Sequence, residues 1–261
     1  MNTKIIIATT KYGDLPNDDI FLPLHVGAKD KESIGYERDD SGDNISNKNG
    51  LYCELTGLYW AWKNINADAI GLMHYRRFLM DKNHLFYSDK QKIEHVISSD
   101  TIQRKLNNKD LILPKKRRYF VTSLYNHYST THYEEHLLVT RDIISEKCPE
   151  YLKSFDRLKR RTSAHMFNMM VVNKKVFDKY CTWLFDILFE LEKRVDYDSY
   201  SPYHKRMFGR MSELLLDVYI ETNELTYAEV PWAILGKVNY RKKVKSFIKT
   251  VLFKKKYEGS F

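Results

Sequence analysis

Four consecutive residues, His74-Tyr75-Arg76-Arg77, follow the short apolar run AIGLM at 69–73. Guanidinium groups grip phosphate through paired hydrogen bonds and an imidazole adds a donor, so this quartet suits an anion. A second cluster lies in the polar segment 39–49, where Asp43, Asn44, Ser46 and Asn49 offer partners to hydroxyl groups, and Glu54 continues it. A solvated turn would use the same residues. His132-Tyr133-Glu134-Glu135-His136 spells H-x-x-E-H, which on a single helix would set both histidines on one face for zinc, with Glu135 as a base. Gly209-Arg210-Met211-Ser212-Glu213 sets a carboxylate at the opening of a helix. That carboxylate suits general-base chemistry or a sugar hydroxyl, although the helix dipole alone would favour an acid there. Asp196-Tyr197-Asp198 has the D-x-D spacing of a cation-binding pair, but it follows a long helix rather than a buried strand and reads as a turn.

The elements that must position these residues alternate. Strands are expected at Lys4–Thr10, Ala69–Tyr75, Asp110–Leu113, Asn168–Val172 and Thr226–Val230. Helices are expected at Tyr52–Asn64, 89–107, 132–147, Val176–Arg194 and 208–222, and 12–50 reads as a long irregular segment. Alternation of this kind builds an α/β/α sandwich of Rossmann type around a mainly parallel sheet. Ligands of such sheets lie beyond the carboxyl ends of the strands, which points to Thr9–Tyr12, His74–Arg77 and Pro114–Arg118.

The chain has 261 residues, 43% of them hydrophobic and 14% aromatic, enough for one large globular domain. No apolar run reaches membrane-spanning length, and the apolar stretch near Met1 is too short for a signal core, so a cytoplasmic protein is expected. Cys53, Cys148 and Cys181 are far apart and read as free thiols. The net charge is +9, and the segment 237–256 alone carries nine Lys and Arg without an acid, so the body is neutral. This argues against a nucleic-acid-binding body. Tyr240, Val244, Phe247, Ile248, Val251 and Leu252 form one helical stripe opposite those cations, so the chain divides into a domain at 1–236 and a basic amphipathic tail at 237–261 suited to an anionic membrane surface.

The blocks KIIIATTKY, GDNISNKNGLYCELTGLYWAWKN, GLMHYRRFL, AHMFNMMVV and FGRMSELLL resemble the DUF4422 family, from about Lys4 to Trp232. Its members are bacterial capsular and O-antigen polysaccharide glycosyltransferases, similar in fold to the GT-A nucleotide-sugar transferases. The resemblance implies a UDP-sugar donor, UDP-galactofuranose or UDP-galactose, and a lipid-linked oligosaccharide acceptor at the inner face of the cell membrane. It implies that Thr9, Thr10, Lys11 and Tyr12 contact the nucleotide, although the family often has His-Lys where this chain has Thr10-Lys11. Asp43, Asn44, Ser46, Asn49, Glu54 and Arg77 would bind donor, and His132 and Asn168 would line the acceptor side. Where metal-dependent relatives present D-x-D, this chain has His74 and Arg76, which implies transfer without a metal cofactor. Glu213 would be the catalytic base of an inverting reaction. The alternatives are a zinc hydrolase built on His132, Glu135 and His136, or a non-catalytic membrane adaptor.

Overall fold

The computed structural model describes residues 1–83 and 86–236, so the tail helix expected over 237–261 lies outside the described residues. Its strands are β1 (Thr3–Thr9), β2 (Phe21–His25), β3 (Glu37–Arg38), β4 (Ala69–His74), β5 (Arg77–Leu79), β6 (Leu111–Pro114), β7 (Arg117–Arg118), β8 (Ser163–Ala164), β9 (Met170–Asn173), β10 (Tyr227–Val230) and β11 (Trp232–Ile234). The helices are α1 (Asn49–Tyr52), α2 (Leu55–Asn64), α3 (Asp89–Glu94), α4 (Ser99–Leu106), α5 (Leu124–Thr131), α6 (Glu135–Lys147), α7 (Leu152–Asp156), α8 (Lys174–Arg194), α9 (Pro202–Lys205) and α10 (Met207–Thr222).

The central sheet runs β10-β6-β9-β4-β1-β2-β3, with β5 and β11 branching from β4. Along that path β9 opposes its neighbours β4 and β6, and the other strands share one direction. The continuous apolar run of β1 follows from burial on both faces. Ile6 and Ala8 face the larger core, which takes in Leu55, Leu58, Leu184 and Leu215 of α2, α8 and α10. Ile5 and Ile7 face a second core with Met73, Phe78 and Ile102. Gly71 allows β4 and β9 to close up, because a Cβ there would sit 2.9 Å from the Met170 carbonyl oxygen.

Several boundaries differ from the sequence expectation. The stretch 12–50 contains β2 and β3, disguised by Pro23, which lies inside β2 in register with Ile7. Residues 89–107 form two capped helices, α3 and α4, rather than one. The helix expected at 132–147 starts at Glu135, and that expected at 208–222 starts at Met207, which puts Glu213 in its second turn.

Asp39 braces the long connection after β2. Its buried carboxylate accepts from the backbone N–H of Gly27 (2.8 Å) and Ala28 (3.0 Å), from Thr56 Oγ1 (2.6 Å) and from the Ser46 hydroxyl. Removing it leaves these donors buried and unpaired, each costing about 1–3 kcal/mol. Asp39→Ala is therefore expected to lose at least about 4 kcal/mol of stability in urea unfolding, while Asp39→Asn, which keeps part of the hydrogen bonding, loses less.

Candidate active site

Two strand ends with opposite directions meet at one place. β4 leaves the sheet at His74, turns through Tyr75-Arg76 and returns as β5, so His74 and Arg77 stand directly paired. β9 enters antiparallel beside β4, so the residues just before it, Phe167 and Asn168, arrive at the edge where β4 leaves. Both hold left-handed backbone (φ 79° and 54°), as does Cys53 (φ 54°) at the approach to α2. Such conformations cost about 1–3 kcal/mol each in non-glycine residues and gather at functional sites.

The hydrogen bonds of this bend set the side chains around it. His74 Nε2 lies 2.7 Å from the Phe167 carbonyl oxygen and so carries the proton it donates, and it is 3.9 Å from Glu54 Oε1. The Phe167 N–H donates to Glu213 Oε1 at 3.1 Å. Asn168 Nδ2 donates to Glu54 Oε1 at 2.7 Å and to the Gly209 carbonyl at 3.0 Å. Arg77 lies 4.9 Å over the Phe167 ring and Arg210 lies 4.4 Å over the Tyr203 ring. The Nε of each of these arginines is buried and has no hydrogen-bond partner among the described residues. Arg206 donates from Nε to Cys53 Sγ at 2.9 Å.

Burial is the largest influence on the titrating groups. It pushes the Glu213 carboxyl up to about 7, helped by the nearby charge of Glu54 and opposed by Arg210, Arg77 and Arg117. It pushes the His74 imidazole down, against the pull of Glu54 and with the help of Arg77. It lifts the Cys53 thiol to about 11, aided by Glu54 and opposed by Arg206, so that sulfur accepts from Arg206 as a thiol. The cluster thus holds a carboxyl pushed up to about 7 beside several guanidinium groups.

The structure brings His74, Arg77, Glu54, Asn168 and Glu213 together. It separates other candidates from them. Arg76 is exposed on the hairpin turn and donates from Nε to the Leu235 carbonyl at 3.2 Å, so Arg77, not Arg76, is the arginine beside His74. Asp43 and Asn44 are held at the far end of α2, where Asn64 donates to the Asp43 carbonyl at 2.9 Å. Ten helical residues separate them from Glu54, about 15 Å. Ser46 is spent on the Asp39 brace, and Asn49 donates to the Cys53 carbonyl and to Thr56 Oγ1. Asn168 is wholly buried and ties Glu54 to α10 rather than lining an open face. Thr9 is buried and donates to the Lys11 carbonyl. Thr10, Lys11 and Tyr12 are exposed beyond β1, with Lys11 5.2 Å over the Tyr75 ring and Tyr12 stacked on Tyr36 at 5.3 Å.

The H-x-x-E-H segment does not form the expected helical pair. His132 caps α5 and His136 lies on α6, so a helix boundary falls between them. His132 packs against Tyr128 and His204, and its burial lowers its pKa to about 2. His136 Nδ1 is taken by the Tyr128 hydroxyl at 2.9 Å, and Glu135 accepts from Tyr200. Among the described residues no group of three His, Cys, Asp or Glu is disposed to hold a metal ion. Asp196 accepts from the Asp198 N–H within a turn, as the sequence suggests.

Sequence reasoning assigned no role to Arg206, Phe167 or His165. Arg206 and Arg210 are four apart and Arg210 and Glu213 three apart, a helical spacing readable once the helix start is known. His165 is buried between Asp217, which meets its Nδ1 (2.6 Å) and backbone N–H (2.8 Å), and Glu229 at Nε2 (3.0 Å). This clamp anchors the chain just ahead of the Phe167 bend.

Because the folded state holds Glu213 protonated up to about pH 7 and the unfolded chain only to its usual value near 4.5, the folded protein binds more protons between these limits. Its stability contribution is full below about pH 4.5 and is lost as pH rises through 7. Glu213→Gln is therefore expected to unfold at higher denaturant than the parent at pH 8, by about 3 kcal/mol, with the difference vanishing near pH 4.5. Equal stability of the two proteins at pH 8 would contradict the buried setting of Glu213.

Across this architecture the chain is similar to the apo structure of the bifunctional glycosyltransferase WbbM, with a TM-score of 0.83 and 31% identity over 91% of this chain. It spans only 46% of that protein's chain. No curated protein matches it. The family model of DUF4422, described as a domain of unknown function, matches residues 4–224. The α/β fold is thus that of a glycosyltransferase, and the chain belongs to the DUF4422 family.

Proposed function

We propose that this protein transfers a sugar from a nucleotide diphosphate donor to an acceptor hydroxyl, with Glu213 as general base. The observation that carries this reading is Glu213, a carboxyl pushed up to about 7 at a strand-end cluster rich in guanidinium groups. A base of that pKa takes a proton effectively near neutrality. The similarity to a bifunctional glycosyltransferase over most of this chain supports the reaction class.

In this reading the acceptor hydroxyl loses its proton to Glu213 as its oxygen attacks the anomeric carbon from the face opposite the leaving group. The bond from that carbon to the diphosphate breaks, the diphosphate takes the electron pair, and configuration inverts. Arg77, Arg206 and Arg210 offset the negative charge that develops on the diphosphate, the task a divalent cation performs in other transferases. We therefore propose that no metal cofactor is required. His74, held neutral with Nε2 committed to the Phe167 carbonyl, orients the bend, and the Asn168 amide keeps Glu54 in place. Thr10, Lys11 and Tyr12, with Tyr75 and Tyr36, form the rim where the nucleotide sits. The donor is UDP-galactofuranose or UDP-galactose, and the acceptor is a lipid-linked capsule or O-antigen intermediate reached from the inner membrane face. The segment 237–256 adds a basic contact with that surface. Among the described residues no helix is long and apolar enough to cross a membrane.

Incubation with a panel of UDP-sugars, with release of UDP as the readout, tests the reading. Turnover of none of them would overturn it and favour the non-catalytic adaptor. Glu213→Gln is expected to lower kcat by at least about a hundredfold. The parent's kcat/KM should fall as pH drops below about 7, where Glu213 gains its proton. Arg77→Ala should cost far more activity than Arg76→Ala, since only Arg77 stands beside Glu213 and His74. Turnover should persist in EDTA, and its loss on chelation would sink the metal-independent part of the proposal.

A further inference from the structure

Beyond the transfer site lies a surface loop that its own chemistry makes unusual. The segment 115–121, Lys-Lys-Arg-Arg-Tyr-Phe-Val, leaves β6 at the same sheet edge as the Phe167 bend. Tyr119 turns inward, but Phe120 and Val121 stand 88% and 81% exposed. An adjacent aromatic and branched aliphatic side chain, both almost wholly in water, lose the burial they would gain elsewhere.

Their surroundings are cationic. β7 pairs with β8, the Tyr119 N–H donates to the Thr162 carbonyl at 2.7 Å and the Leu124 N–H donates to the Arg161 carbonyl at 2.7 Å. These bonds lay 115–121 alongside a second basic run, Arg157-Leu-Lys-Arg-Arg. Neither 111–133 nor 157–177 contains an acid. Arg157 and Arg161 are paired with Glu221. Among the described residues Lys115, Arg118, Lys159 and Arg160 have no carboxylate partner, and Lys115, Arg118, Lys159 and Arg160 are exposed. The open groove of about 700 Å³ beside Lys116 is lined by Asp217, Glu221 and Glu224 as well as by Arg157, Arg160 and Arg161, so the cations that face outward without a carboxylate are those of the loop and of 159–160.

From this we infer that 115–121 is a membrane-docking loop. Phe120 and Val121 enter the interfacial region of an anionic bilayer while Lys115, Arg118, Lys159 and Arg160 meet its phosphates. Two exposed apolar tips on a segment flanked by cations without carboxylate partners complement such a surface in both respects. A protein partner of the same charge would need an acidic rim around an apolar pocket, and nothing in the structure selects for that pocket. The inference deepens the membrane side of the proposed function and rests on that reading only for the identity of what is delivered.

The test uses the full chain carrying Phe120→Trp and vesicles of phosphatidylglycerol and phosphatidylcholine, some with brominated acyl chains. The added emission, read against the four native tryptophans, should shift to shorter wavelength and lose about half its intensity to bromine on mixed vesicles, with little change on pure phosphatidylcholine. The double variant Phe120→Glu with Val121→Glu should bind mixed vesicles about tenfold more weakly than the parent, yet transfer to a water-soluble acceptor unchanged. Emission unaltered by anionic vesicles, in a protein that still binds them through its tail and still turns over donor, would overturn the loop and leave the transferase reading standing. Insertion in a protein that turns over no donor would uphold the loop and remove the transferase reading. A dimer in sedimentation that the double glutamate variant disperses would overturn it in favour of self-association.

Discussion

The left-handed bend at Phe167-Asn168 is the constraint on which the site depends. Its carbonyl fixes the His74 tautomer, its N–H holds Glu213, and the Asn168 amide ties Glu54 to the start of α10. Three elements distant in sequence therefore take their relative positions from one dipeptide. The backbone conformation is unfavourable for phenylalanine, and it persists because the Asp217–His165–Glu229 clamp and β9 fix the chain on either side. Breaking any one of these bonds would leave a buried polar group unpaired, which makes the arrangement all-or-none rather than adjustable.

The electrostatics follow from that geometry. Glu213 titrates near neutrality because burial and Glu54 raise it while Arg210, Arg77 and Arg117 hold it back. Either influence alone would remove it from useful range, since burial can move a carboxyl by several pH units and an arginine by nearly as many in the other direction. A substitution at Arg77 or Arg210 therefore shifts the Glu213 carboxyl, and under the proposed function it would also remove charge that offsets the leaving diphosphate.

Much of the fold was legible in the sequence, because continuous apolar runs such as KIIIATT and helical stripes such as that of 176–194 leave few alternatives. β2 was not, because a proline inside a strand hides the pattern and only the partner strands reveal that its missing N–H is tolerated. The strand-end rule located His74 and Arg77, and Glu213 was readable as an acid near the opening of a helix, with its role as a base implied by the family resemblance. The distinction between Arg76 and Arg77 was not readable, since it depends on which residue closes a two-residue turn. Asp43 and Asn44 offered the right groups, but α2 puts them at its opposite end. The H-x-x-E-H spacing misled because a motif carries no record of where one helix stops and the next begins. Phe167 and Asn168 act through backbone conformation, to which side-chain chemistry gives no clue.

The reversed direction of β9 has a wider consequence. In a sheet of uniform direction every site residue follows its strand, and an evolving enzyme can exchange one loop for another. Here the essential bend precedes its strand, while His74 follows its own, so no single contiguous segment carries the chemistry. Transplanting this site onto another scaffold would require moving the exit of β4, the entrance of β9 and the first turns of α10 together.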